Sequence, residues 1–423
     1  MPVKSTTAII VALVCLAQQT FAQFTLNGEF RPRMEYRHGF QTLMDPDENA
    51  AFFISQRSRL NLGMNEENYS VGFSLQDIRV WGEVPQLNRS DINSSVHEAW
   101  VDLKIFNKAF LRAGRQEIIY DNSRIFGNVD WAQQARSHDA AVLKWNLEND
   151  LILHAGLAFN QESERVRETF YSLNNYKTFQ YFWLNKSWEK LSGSFLFLNN
   201  GIQFDPAKTT FSQTTGSRLV YNPGNFSLSG SAYLQTGRDA ANRTLNAHYI
   251  SLHYDQPLTL GGLGLTAGFE LLSGTDQANM QDPGNRSNTS FSPLYGTNHA
   301  FNGHMDYFYV GNHFNNAGLR DLYAGLNYNP RSWSAGFRLH FFSSDALLVN
   351  PATPSESMPR YLGTEVDIFF GYNLYENIVL RMGYSEMFAT ESMEVLKGGS
   401  KSETNNWAWM MLIVKPEFLN IPR

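Results

Sequence analysis

The sequence predicts an all-β fold, a transmembrane antiparallel β-barrel of about 18 strands with long extracellular loops and short periplasmic turns. Three observations predict it. Segments of roughly ten residues alternate apolar and polar side chains. Phe226, Leu228, Gly230, Ala232 and Leu234, for example, interleave with Ser227, Ser229, Ser231, Tyr233 and Gln235. Successive strand side chains point to opposite faces, so such a segment has one face for lipid and one for water. Short polar turns and long polar loops also alternate almost to the last residue. Finally, aromatics make up 14% of the chain, with 31 Phe and 19 Tyr, whereas charged residues make up 17% and mean hydropathy is −0.35. Half of each barrel strand meets water and aromatic girdles mark both interfaces, which suits that balance. A Phe/Tyr-rich soluble sandwich would share the alternation but not the loop rhythm.

Residues 1–22 read as a secretory leader: Lys4 is the positive start, Ala8 to Ala17 the apolar stretch, and Thr20-Phe21-Ala22 a cleavage site before Gln23. No later run reaches the ~18 apolar residues of a spanning helix. Residues 23–423 carry no composition shift or linker, so one barrel domain is expected there, in the cell outer membrane among its lipids and lipopolysaccharide. Cys15 is the only cysteine, and flanking Val14 and Leu16 do not suit lipid attachment. The mature chain therefore has no thiol and no cysteine metal site, and no cofactor is expected. The formal charge of −6 becomes −7 once Lys4 leaves with the leader, which argues against a nucleic-acid partner.

Strand one is expected over residues 24–36. Phe24, Leu26, Phe30, Met34 and Tyr36 share one face, while Asn27, Glu29, Arg31, Arg33, Glu35 and Arg37 share the other. Such charges must face a wet lumen, since an Arg or Lys at the bilayer midplane costs about 2–4 kcal/mol. Pro32 lacks a ladder donor, which predicts a local bulge or irregularity. Strand two (54–64) puts Leu60, Leu62 and Met64 outward and Arg57, Arg59 and Asn61 inward. The turn 65–68 leads to strand three, with Tyr69, Val71, Phe73 and Leu75 toward lipid. Strands four (96–105) and five (110–116) meet at Asn107-Lys108, and a long loop reaches Ser137 before strand six ends at Trp145. Strand seven then puts Leu151, Leu153, Leu157 and Phe159 outward. Further short turns fall at 187–189, 222–225, 255–262, 329–332 and 373–377. Asn222-Pro223-Gly224-Asn225 places Pro and Gly as a type II turn requires. Long loops are expected near 160–175, 200–214, 274–316, 343–360 and 389–406, and the last strand over 407–415 with a short tail beyond. An even strand count puts both termini on the periplasmic side.

The sharpest local cluster is Arg112, Gly114-Arg115-Gln116-Glu117, Arg124, Asp130-Trp131 and Arg136-Ser137-His138-Asp139-Ala140. It resembles the alginate export family of outer-membrane barrels, whose pattern runs Gly-Arg-Gln, a downstream Arg, a Trp, then Arg-x-x-Asp-Ala. Gly114-Arg115-Gln116, Arg124, Trp131, Arg136 and Asp139-Ala140 match it, whereas Ala135 stands where Gly is usual and His138 where an aromatic is common. The resemblance implies an eighteen-stranded pore for an anionic polysaccharide or small acids.

The residues add their own argument. Arg31, Arg33, Arg57, Arg59, Arg79, Arg112, Arg115, Arg124 and Arg136 all come from the first third of the chain. Neighbouring strands would gather them, with Asp139, on one pore-lining wall. Guanidinium forks bind carboxylates bidentately, so the wall could pass an anionic saccharide or small anionic solute. Equally, they could brace the wall by pairing with Glu29, Glu35, Glu98, Asp102, Glu117 and Asp139. A second cluster, His299, His304, Asp306 and His313, sits in a Gly/Asn-rich aromatic loop. Its spacing fits no helix-borne metal pair, so it is expected to fold inward as a constriction. Two functions follow: a passive channel or exporter, not an enzyme, or alternatively a plugged structural barrel or outer-membrane enzyme using the 294–313 loop. The residues single out no periplasmic partner.

Overall fold

The computed structural model describes residues 23–422, apart from 91–92, 172–175, 207, 259–260, 298 and 314–315. The proposed leader lies outside the described residues. The first half contributes β1 (Gln23–His38), β2 (Ala51–Asn65), β3 (Tyr69–Val80), β4 (Ser94–Phe106), β5 (Ala109–Gln116), β6 (His138–Asn146), β7 (Leu151–Phe159), β8 (Thr178–Ser187), β9 (Leu191–Asp205) and β10 (Lys208–Tyr221). The second half contributes β11 (Ser227–Arg238), β12 (Thr244–Pro257), β13 (Leu263–Leu272), β14 (Ser287–Asn288), β15 (Leu319–Tyr328), β16 (Trp333–Ser343), β17 (Tyr361–Tyr375), β18 (Ile378–Ala389), β19 (Asn405–Val414) and β20 (Glu417–Ile421).

Eighteen of these are the staves of a closed antiparallel barrel. Each pairs with the next, β13 with β15, and β1 pairs with both β2 and β19. Closure leaves no edge of unpaired backbone groups, the condition for strands in hydrocarbon. The two remaining strands are accessory. The short β14 runs parallel to the start of β12 inside a long loop. The tail forms β20, which continues the last stave beyond Pro416 by pairing Glu417–Ile421 with residues 24–27 of β1.

Alternation sets the two faces. Leu60, Leu234, Leu252, Leu322 and Ile368 are 44–60% exposed on the outside, a severe cost in water and none in lipid. Aromatics gather at the periplasmic strand ends, where Tyr221–Phe226, Phe226–Tyr254, Tyr328–Trp333 and Trp333–Phe370 pack at 5.1–5.9 Å between ring centroids. Amphipathic rings at that level form the expected girdle.

One expectation is corrected and another is located. Residues 200–214 are not a long loop, because β9 and β10 run on as paired strands to Asp205 and Lys208, with one register shift between Lys208 and Thr209. Their Asn, Gln, Thr and Ser side chains read as loop, yet the water-facing side of a barrel strand is polar throughout. The irregularity expected at Pro32 is confined to one side: β1 keeps unbroken register with β2 through Pro32↔Gln56. The missing donor falls on the β19 side, where the ladder skips Arg31 and Pro32.

Two long extracellular loops turn back into the barrel, L3 (117–137) and L7 (273–318). They join one another directly. Gly127 N donates to Tyr295 O at 2.8 Å and Thr297 N to Ser123 O at 2.9 Å, making a short parallel bridge at Phe126 and Tyr295. Beneath it Phe126, Tyr295, Phe179, Tyr181 and Tyr120 form one buried aromatic cluster. Its burial holds both loops in the lumen.

Candidate functional site

L3 is anchored to the β1–β3 wall through Asp130. Its carboxylate meets Arg57 at 2.6 Å and Arg31 at 3.2 Å, and its backbone oxygen accepts from Arg31 at 2.8 Å. Burial alone would raise this carboxyl, but Arg57 and Arg31 outweigh it and hold the group below its ordinary range. Next in sequence, Trp131 stacks under the Arg33 guanidinium at 4.1 Å while its carbonyl accepts from Arg33. Arg33 and Arg37 share Glu35 at 2.8 Å each.

L7 meets L3 at the same level. His299 stacks on Trp131 at 4.0 Å, its Nδ1 lies 3.1 Å from Asp306, and His304 stacks on His299 at 5.1 Å. Burial is the main influence on the His304 ring and lowers it to about 4, against the pull of Asp367 at 3.7 Å. Gly303, at φ +82°, lets the loop pass over β17: a Cβ there would lie 2.5 Å from Glu365 Oε1. Met305 N consequently donates to Glu365 at 2.8 Å. Across the lumen Asn302 receives from Arg124 at 2.9 Å, and Arg124 pairs with Glu270 at 2.9 Å.

The strip from His299 to Asp306 thus divides the lumen. On one side a cavity of about 470 Å³ is lined by Arg33, Glu35, Arg37, Arg79, Trp131, His299 and Asp306. On the other a cavity of about 270 Å³ is lined by Asn122, Arg218, Glu270, Phe301, Asn302, Tyr323 and Arg338. The first carries matched acids and bases. In the second, Glu270 is already taken by Arg124, whereas Arg218 donates only to Ser229 and Ser231, at 2.8 and 3.1 Å, and Arg338 lies over Tyr323. Among the described residues neither holds a direct ion pair, although Asp121 acts on Arg218 at longer range.

The other arginines singled out in the sequence are mostly braced. Arg79 pairs with Asp77 at 2.6 Å and Arg112 with Asp102, under a Trp100 ring 3.5 Å away. Arg59 donates to Gln76 at 2.7 Å and Arg136 to the Gly296 carbonyl at 3.1 Å, so those two hold no direct ion pair among the described residues. Burial pushes the Arg136 guanidinium down.

Arg115 and Asp139 require a correction. They are cross-strand partners at 2.8 Å, in register with Ala99 on the outward parity of Leu103, Leu111 and Leu143. They form an exposed ion pair on the outer rim and do not line the lumen. Arg112 and Arg115 stand three apart, and in a strand odd spacings face opposite ways. Their motif neighbours are staples: Gly114, at φ +119°, crowds the Ala99 carbonyl too closely for a side chain, and buried Gln116 donates to the Ala140 carbonyl at 3.0 Å. Arg218 and Arg338 were missed because they stand alone, although inward parity beside outward Leu219 and Phe337 marks both.

Among the described residues no group of His, Cys, Asp and Glu has the arrangement of a metal site. No curated protein sequence matches this chain. The alginate export family matches residues 22–405. Solved structures supply the same fold: Acinetobacter baumannii OccAB4 aligns at 12% identity over 95% of this chain and 99% of its own, with a TM-score of 0.62. Pseudomonas aeruginosa OccK9 (OpdG) aligns at 14% identity over 93% and 98%, with a TM-score of 0.62. Pseudomonas aeruginosa OpdK, solved with vanillate, aligns at 12% identity over 93% and 99%, with a TM-score of 0.59. A closed barrel narrowed by inward loops, matched over nearly all its length by one transport family, is a conduit and not an enzyme: the chain belongs to the alginate export family and is an outer-membrane channel for small solutes.

Proposed function

We propose that this channel prefers anions and passes acidic saccharides or small organic acids. One observation carries the reading: Arg218 and Arg338 face the cavity beside the constriction without a direct ion pair, Asp121 acting on Arg218 only at longer range, while the cavity's own acid Glu270 is taken by Arg124. Local potential in a narrow channel follows the nearest fixed charges more than the whole-chain sum, so a mature charge of −7 does not oppose it. The acidic excess is free to sit in loops such as Asp45-Pro46-Asp47-Glu48. Arg31, Arg33 and Arg57 serve this reading as braces that hold L3 in place, while Arg79 and Arg112 pair within the wall with Asp77 and Asp102. The test is the reversal potential under a KCl gradient. Replacing Arg218 and Arg338 together with Ser moves it toward cation preference while the barrel stays heat-modifiable on gels. An unmoved potential sinks the assignment.

A further inference from the structure

A third cavity, of about 320 Å³, opens in the lumen wall toward the periplasmic ends of β8–β10. That volume is within the range of about 300–1,000 Å³ usual for small-molecule sites. Its lining mixes one large aromatic with several small polar groups. Trp183, on the inward parity of β8, stacks against Tyr120 of L3 at 4.7 Å and 20°, which fixes the indole plane. Its Nε1 donates to Asp121 at 3.2 Å, and Tyr120 is itself held by the hydroxyl of Tyr181 and the ring of His154, both at 2.9 Å. Around the indole stand Asn122, Asn185, Ser192 and Arg218. The Asn122 Oδ1 is buried with no hydrogen-bond partner.

We infer that this cavity, which shares Asn122 and Arg218 with the second cavity but adds the indole of Trp183, is a binding site for a pyranose ring. A hexopyranose has an apolar C–H face and a rim of hydroxyls. The C–H hydrogens suit the negative face of an indole held flat, and the hydroxyls suit a ring of carboxylate, amide, hydroxyl and guanidinium groups. A buried amide oxygen without a partner is costly, and a sugar hydroxyl donating to Asn122 Oδ1 satisfies it. Asp121 and Arg218 face the same cavity with opposite formal charge, which favours a neutral polyol over a free ion. No bond is made or broken: the site slows a passing saccharide at the periplasmic mouth and orients it for the constriction.

The experiment is single-channel recording with maltohexaose, a neutral chain of hexopyranoses, added on the periplasmic side. Wild-type channels show saturable current block, and the open-chain hexitol sorbitol gives none. Trp183→Ala weakens the block about ten-fold or more, the loss of one aromatic contact, while Trp183→Phe retains most of it. The reversal potential, read from the same records, stays where it was in each variant, so failure of this site and failure of the anion reading separate. If Trp183→Ala does not fold, Asn185→Leu, which lines this cavity and not the second, takes its place and weakens the block likewise. Absence of saturable block in the wild type, equal block by sorbitol, or block unchanged in the folded variants overturns the inference.

Discussion

Asp130 is the residue on which the loop architecture turns. Its carboxylate lies between two arginines that are almost fully buried, so Asp130→Asn leaves two guanidinium groups poorly matched and loosens L3 by about 2 kcal/mol. The expected outcome is a channel with a larger or noisier open level at neutral pH and unchanged heat-modifiability. A variant with wild-type current noise contradicts the anchoring role. Acid acts on the same contact. The folded-state carboxyl is lowered, so its contribution is complete above the ordinary carboxylate range and disappears as pH falls through the lowered value. L3-dependent noise therefore rises only in strong acid, below about pH 4. None of this pairing was legible in the sequence, since Arg31 and Asp130 are 99 residues apart and meet only because a loop folds inward. What was legible is inward parity, which holds for Arg31, Arg33, Arg57 and Arg59. It fails for Arg115 because the motif was read as a unit although the strand alternates beneath it.

At the scale of elements, L7 is held by a glycine and a buried histidine. Gly303→Ala places a methyl against Glu365 and demands a left-handed backbone, a strain of roughly 1–3 kcal/mol, and is expected to displace the 299–306 strip. The check is conductance, which rises if the strip narrows the pore. His304 adds a pH window. Its folded-state value is lowered to about 4, so the unfolded loop takes up a proton first. Docking is then progressively destabilised as pH falls from about 6.5 and reaches its full penalty near the lowered value. His304→Asn is expected to abolish gating events that increase between pH 6.5 and 4 in the wild type. Gating with the same pH profile in the variant removes His304 from the explanation. The strands themselves were legible from alternation, as the β1 and β11 segments illustrate. The β9–β10 hairpin was not, because polarity on one barrel face imitates the composition of a loop. A parity test is clean, since the only cysteine is Cys15, ahead of the first strand. Cysteines at Arg59, Asn185 and Arg218 react with a membrane-impermeant thiol reagent, and those at Leu219, Leu234 and Leu252 do not. Equal labelling on both parities contradicts the register.

For the whole molecule, closure of β1 on β19 and β20 makes a stave-complete wall. A barrel of this kind keeps its fold in SDS until heated. The narrowing is supplied from within, by loops that share an aromatic cluster with the wall, so pore size and barrel stability are separable properties. The central claim is an open conduit whose ion preference is set by arginines without a direct ion pair beside a constriction. Single-channel recording of the purified wild-type protein under a KCl gradient tests it most directly. Steady ohmic steps with a reversal potential on the anion side are the expected result. A barrel that is folded and heat-modifiable but passes no current, or one that selects cations, contradicts it.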